Sequence, residues 1–152
     1  MNMKISTKGR YALEAVVDLS YHAKDELESL KSIAKRLNKS KNYLEQLFVL
    51  LRQNNIVVSI RGSQGGYKLA KEASKITAGD VVRAVEGSLA PVACLDFSNK
   101  EQCCGDYEKC VTRVVWKKMM DEISNVLDDV TIQDLKDCYE KMNKENMIEY
   151  YI

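Results

Sequence analysis

The feature that most limits how this chain can fold is a change of hydrophobic period part-way along its first half. Leu30, Ile33, Ala34 and Leu37 follow the i, i+3, i+4, i+7 template, which predicts a short helix over Ser29 to Leu37. Asn38-Lys39-Ser40 interrupts the pattern, and Ser40 can cap a new helix by accepting a bond from an orphan backbone N–H. Leu44, Leu47, Phe48 and Leu51 give that helix an apolar face. After Asn54-Asn55 the period drops from about 3.6 to about 2. Ile56 to Arg61 is a β-branched run, Gly62-Ser63-Gln64-Gly65-Gly66 is a turn, and Tyr67 to Ala70 is a short returning strand. Two short helices joined by a tight turn and followed directly by a hairpin describe a winged helix-turn-helix.

The rest of the chain is helical by the same reasoning. Tyr11, Ala15 and Leu19, with Ala12 and Val16 beside them, predict a first helix from Thr7 to His22. Thr77-Ala78-Gly79-Asp80 has the form of a capping box ahead of Val81, Val82 and Val85, so a further helix ends near Glu86-Gly87. Pro91 then opens an irregular stretch. From Val111 to Val130 a wide apolar stripe runs through Val111, Val115, Met119, Ile123 and Leu127, widened by Trp116, Met120, Val126 and Val130. A stripe that wide on a long helix is expected to bury itself against a partner chain. Thr131 to Asp134 starts a last helix with another capping box, followed by the tail Met147 to Ile152. The expected fold is mainly α with a small β-hairpin wing: a DNA-binding domain over 1–86, a cysteine loop over 87–110, dimerisation and C-terminal helices over 111–146, and a tail over 147–152.

Composition narrows the function. No stretch approaches the roughly 20 apolar residues that span a bilayer, and the first residues lack the apolar run of a signal peptide, so a cytoplasmic protein without a membrane partner is expected. A single His, no nucleophile set beside a base and no cofactor fingerprint argue against an enzyme. Residues 1–83 hold 15 Lys and Arg against 8 Asp and Glu, and residues 84–152 hold 8 against 14. A basic N-terminal half of domain size suits a polyanion, because Lys and Arg neutralise phosphates and release counterions. A solvated basic face would give the same arithmetic.

In a winged helix-turn-helix the second helix of the pair enters the major groove. Its start carries Ser40, Lys41, Asn42, Tyr43, Glu45 and Gln46, which offer donors and acceptors to base edges and phosphates. Asn42 or Gln46 could pair with adenine, and Glu45 could accept from a cytosine amino group. In the wing, Arg61 would reach the backbone or minor groove, with Gly62, Ser63 and Gln64 at the turn. Double-stranded DNA is the expected partner.

These residues carry a resemblance. Lys4 to Ala12, then Tyr43-Leu44-Glu45-Gln46-Leu47, then Ser59-Ile60-Arg61-Gly62 with Gly65-Gly66-Tyr67, together with Cys110-Val111-Thr112-Arg113 and Trp116, resemble the bacterial winged-helix repressors that include the iron–sulfur cluster regulator and the cysteine metabolism repressor. The resemblance implies a homodimer crossed through the long helix and bound to a two-fold operator, with Tyr43, Glu45, Gln46 and Arg61 at the DNA.

The cysteines give the second candidate site. Cys94, Cys103, Cys104 and Cys110 lie between Pro91 and Trp116, where thiolates could converge on zinc or an iron–sulfur cluster. Inert thiols and a reversible disulfide are alternative readings. The resemblance implies Cys94, Cys104 and Cys110 as ligands of a cluster, [2Fe–2S] first. It also implies a His three residues after the last Cys, where this sequence has Arg113. The fourth ligand is therefore open, with Cys103, Asp96, Asp106, Glu108 or a partner-subunit group as candidates. Cys138 lies on an apolar helical stripe with Leu135, Tyr139 and Met142 and reads as core packing. His22 reads as a helix-end residue facing the dipole. At the chain end Tyr151 and Ile152 resemble the tail of the cysteine metabolism repressor, which implies docking into cysteine synthase; a frayed terminus is the plainer alternative.

Overall fold

The computed structural model describes residues 5–97 and 105–151. Helix α1 spans Thr7–Ala23, α2 Leu30–Leu37, α3 Lys41–Gln53, α4 Ala78–Glu86, α5 Arg113–Asp129 and α6 Ile132–Tyr151, with strands β1 Val57–Ile60 and β2 Gly66–Leu69 between α3 and α4. Single 3-10 turns sit at Ala73–Lys75, Ala93–Leu95 and Tyr107–Lys109. The mainly α architecture with a hairpin wing is the one the sequence predicts.

Side chains cap the helix starts, at Ser40, Thr77 and Thr131 as the sequence suggests and at Ser6 and Ser29 besides. Ser6, Ser29 and Ser40 each accept a backbone N–H at the starts of α1, α2 and α3. Both capping boxes form: Thr77 with Asp80 opens α4, and Thr131 with Asp134 opens α6. Asn38 ends α2 in the left-handed region at φ 52, where Asn is tolerated better than most residues, and Lys39 N–H then donates to the Ala34 carbonyl at 3.0 Å. That sharp stop is what turns the chain into α3.

The core gathers α1 to α4 on the wing's base. Ala12, Ala15, Val16 and Leu19 of α1 meet Ile33, Leu44, Leu47, Phe48, Leu51, Val81 and Ile132, all essentially out of solvent. The small side chains of Ala12 and Ala15 bring neighbouring helices close to α1. One charged group enters this layer: Asp18, 4% exposed, receives Arg36 Nη2 at 2.7 Å and Nε at 3.1 Å, and Arg36 Nη1 reaches Glu28 at 3.3 Å. This fork ties α1 to α2.

Glu28 does more than the sequence suggests. Its N–H and C=O pair with Tyr67 at 2.9 and 2.8 Å, adding a one-residue bridge to the hairpin. A Cβ on Gly66 would fall 2.7 Å from the Glu28 carbonyl oxygen, so glycine there permits the approach. The wing is thus pinned to the α1–α2 link.

Helix α5 stands apart, with no buried residue along its 17 positions. It is held to α4 by Arg83, whose Nη1 and Nη2 donate to the Asp128 carboxylate at 2.7 and 2.9 Å, and by the backbone bridge between Thr77 and Thr131. The Arg83 hydrogen bond, then its charge, then the Thr77 hydroxyl hold the Asp128 carboxyl below its ordinary value. A lowered folded-state value means stabilisation that is fully present above the unfolded value of about 3.9 and fades as pH falls through the lower one. Asp128→Asn should therefore melt below the wild-type chain near about pH 7, and the gap should close on acidification below about pH 3.9. A gap independent of pH in thermal melts would refute the clamp.

Two expectations are corrected. Cys138 is exposed. It borders a cavity of about 460 Å³ between α1 and α6, with Leu13, Val17, Leu135 and Met142, because α6 lays only one edge of its stripe on α1. The last helix also does not give way to a tail at Met147; it continues to Tyr151, since nothing in Met147 to Tyr151 breaks a helix.

Candidate nucleic-acid interface and cysteine loop

The start of α3 presents a polar row. Ser40, Lys41, Asn42, Glu45 and Gln46 are exposed, and they leave the helix on the side opposite Leu44, Leu47 and Phe48. Lys41 Nζ lies 3.4 Å from Glu45 Oε1, one turn along. A base contact by Glu45 would have to displace this weak surface pair, a small cost.

Tyr43 behaves differently from its neighbours. It is half-buried, with its ring edge-on to Tyr11 at a centroid distance of 5.9 Å and its hydroxyl 3.4 Å from Thr7 Oγ1. Lys39 Nζ sits 3.8 Å above the Tyr11 ring. Thr7, Tyr11 and Lys39 therefore brace the start of α3, a role that helical spacing could not reveal because the partners come from another element.

The wing turn places Arg61, Gly62, Ser63 and Gln64 in solvent. Gly62 adopts φ 124, a region that side chains avoid, and Gly65 N–H closes the turn onto the Gly62 carbonyl at 3.0 Å. Arg61 has no ion-pair partner among the described residues. Arg52 Nη1 donates to Ser59 Oγ at 3.3 Å, joining the end of α3 to β1.

The cysteine loop is described at its two ends. Cys94 is half-buried in the turn Ala93–Leu95, anchored by Leu95, which is 3% exposed. Cys110 is exposed, 3.1 Å from Thr112 Oγ1. That hydroxyl, then the N–H groups of Arg113 and Thr112, and finally the Arg113 charge pull the Cys110 thiol below its ordinary value toward thiolate. Cys103 and Cys104 lie outside the described residues. Among the described residues no three metal-ligating side chains gather.

Arg113 bears on what the loop could hold. Its guanidinium lies 5.3 Å from the Tyr107 ring centroid, and its buried Nε has no hydrogen-bond partner among the described residues. A thiolate-prone Cys110 beside an orphaned cationic donor fits an anionic, sulfur-ligated group. Tyr151 ends α6, whereas Ile152 lies outside the described residues. Among the described residues no helix is long and apolar enough to cross a membrane.

A braced, capped helix with a polar outer row, a wing pinned beside it and a basic first half define a DNA-binding transcription regulator of the winged-helix class. Residues 5–137 match the family described as Rrf2, iron-dependent transcriptional regulator, and the chain belongs to that family. It is 38% identical over 147 residues to the HTH-type transcriptional regulator IscR of Yersinia enterocolitica, covering 95% of this chain and 87% of the relative. Among solved structures it is similar to CymR, the global cysteine regulator of B. subtilis, with a TM-score of 0.71 and 41% identity over 88% of this chain and 96% of that one. It is equally similar to T. potens IscR, with a TM-score of 0.70 and 42% identity over 91% and 90% of the two chains.

Proposed function

We propose that this chain is a homodimeric repressor whose grip on a two-fold operator is set by a [2Fe–2S] cluster in the loop after Gly87. The observation that carries the cluster reading is Cys110 held toward thiolate next to the orphaned Arg113 Nε. Cys94, Cys104 and Cys110 would hold the cluster, with the fourth ligand drawn from Cys103, Asp96, Asp106, Glu108 or the partner subunit. When bound, it supplies a compact anionic, redox-active group. The chain's own part is to lower the Cys110 thiol through the Thr112 hydroxyl, to set the Arg113 charge near it, and to anchor Cys94 through Leu95. Cys94→Ala and Cys110→Ala should lose the visible absorbance and the iron and sulfide of anaerobically prepared protein, whereas Cys138→Ala should keep them. Full iron in the Cys110 variant would overturn the site.

At the DNA, the exposed row Lys41, Asn42, Glu45 and Gln46 reads bases while Ser40, Tyr43 and the wing residues Arg61, Gly62, Ser63 and Gln64 position the domain on the backbone. Arg61→Ala should weaken binding to every sequence and reduce the slope of log K against log salt by about 0.9. Glu45→Ala should instead relax preference at one base pair, by about 1–3 kcal/mol of discrimination. Unchanged affinity and preference in both variants would refute the interface.

A second reading, control of sulfur metabolism through cysteine synthase bound at Tyr151 and Ile152, is favoured by the likeness to CymR. Because α6 runs to Tyr151, an extended tail would form only by unwinding the last turn. Loss of cysteine synthase binding on deletion of residues 151 and 152 is the expected result, and undiminished binding the opposing one.

A further inference from the structure

Glu86, the last residue of α4, places one carboxylate oxygen at the start of α1. Its Oε1 accepts from Ser6 N–H at 2.9 Å, from Gly9 N–H at 3.1 Å and from the Ser6 hydroxyl. Orphan donors of a helix start are thus satisfied by a charge from 77 to 80 residues away, at the end of the helix where the dipole favours an anion. Gly9 makes room for it: a Cβ there would lie 2.8 Å from Glu86 Oε1.

The two sides of this contact lead to the two candidate sites. On one side, Thr7 and Tyr11 in the first turns of α1 brace Tyr43 of the recognition helix. On the other, Gly87 at φ 78 opens the cysteine loop directly after Glu86, while Arg83 of the same helix is tied to Asp128 at the C-terminal end of α5, so that a movement of the loop acts on the end of α4 through Gly87. A shift of the loop that tilts the end of α4 must either drag the start of α1 with it or break three hydrogen bonds to a carboxylate, and hydrogen bonds to a charged group are the costly kind to lose.

We propose that Glu86 is the positioning residue that sets the recognition helix for DNA and carries the state of the cysteine loop to it. This rests on the cluster-dependent repressor reading for its second half only; the positioning half applies with the loop empty. Glu86 touches no DNA and acts through α1 and Tyr43.

The test uses the full chain, with operator affinity measured on cluster-loaded and cluster-free protein. Glu86→Gln should keep the visible spectrum and the dimer, bind the operator about tenfold more weakly when cluster-free, and bring the loaded-to-free affinity ratio close to one. Gly9→Ala, which displaces the carboxylate without removing it, should do the same. In a double-mutant cycle with Tyr43→Phe, the two losses should fail to multiply, as expected for residues in one chain of contacts. A purely structural role would lower the melting temperature while leaving the affinity ratio and the additivity of the cycle untouched. Operator affinity within twofold of wild type in both Glu86→Gln and Gly9→Ala, or multiplicative losses with Tyr43→Phe, overturns the proposal. If the wild-type chain takes up no cluster, the cluster reading fails on its own, and the cluster-free affinities still decide whether Glu86 positions the helix.

Discussion

Arg36→Met should destabilise the folded chain by about 3 kcal/mol, a drop in melting temperature on the order of 10 °C for a chain of this size. The cost is not the value of the ion pair itself. Asp18 is 4% exposed on the inner side of α1, and losing the Arg36 fork leaves its carboxylate with the imidazole Nε2 of His22 at 3.6 Å as the nearest basic group. An uncompensated buried charge is what makes half of a buried pair expensive. Replacing both partners, Asp18→Leu with Arg36→Met, should therefore recover most of the loss, because the desolvation cost vanishes with the charge. Chemical denaturation of the two variants reads this directly, and a double variant as unstable as the single one would show that the fork is worth more than its burial penalty. Arg36 also reaches Glu28, whose backbone pins the wing, so the single variant should bind DNA more weakly under conditions where it is still folded.

In the homodimer proposed above, Val115→Glu should abolish subunit association and with it nearly all operator affinity. Helix α5 buries none of its residues within one chain, and its Val114, Val115 and Val126 are all more than half exposed, Val114 by 71%. These apolar side chains are the face that the proposed homodimer would cover, and a carboxylate set among them would then be driven out of water without a partner. The monomer's core lies elsewhere, in α1 to α4, so the variant should retain its helical content. Two linked half-site contacts exceed one by roughly 10²–10⁴ in affinity, and the loss should fall in that range. Sedimentation of the variant as a dimer with intact operator binding would remove α5 from the interface.

The caps and reversals that depend on local chemistry could be read from the chain, whereas the run of α6 past Met147 and the start of α5 at Arg113 could not. Ser40, Thr77 and Thr131 cap because a short oxygen-bearing side chain meets orphan N–H groups wherever a helix begins. Asn38 and Gly62 mark reversals because only a few residue types tolerate positive φ. The alternation after Asn55 announces the wing, and the polar row at the start of α3 is visible as the complement of Leu44, Leu47 and Phe48. These signals are legible because they concern residues within one turn of each other.

What tertiary structure decided lies between elements distant in sequence. Tyr43 belongs to the polar row by spacing, yet packing turns it inward onto Thr7 and Tyr11. Cys138 has the spacing of a core residue, yet the way α6 leans on α1 leaves it at the edge of a cavity. Glu28, by sequence a linker carboxylate, becomes a bridge to the wing. Glu86 looks like an ordinary helix end, and its bonds to Ser6 and Gly9 could not be inferred because nothing in its neighbours specifies which distant helix start it will meet. Periodicity and capping are properties of a few consecutive residues and survive in a bare sequence. The partners of a side chain 80 positions away are set only when the shared core of α1, α3 and α4 closes and fixes the helices against one another.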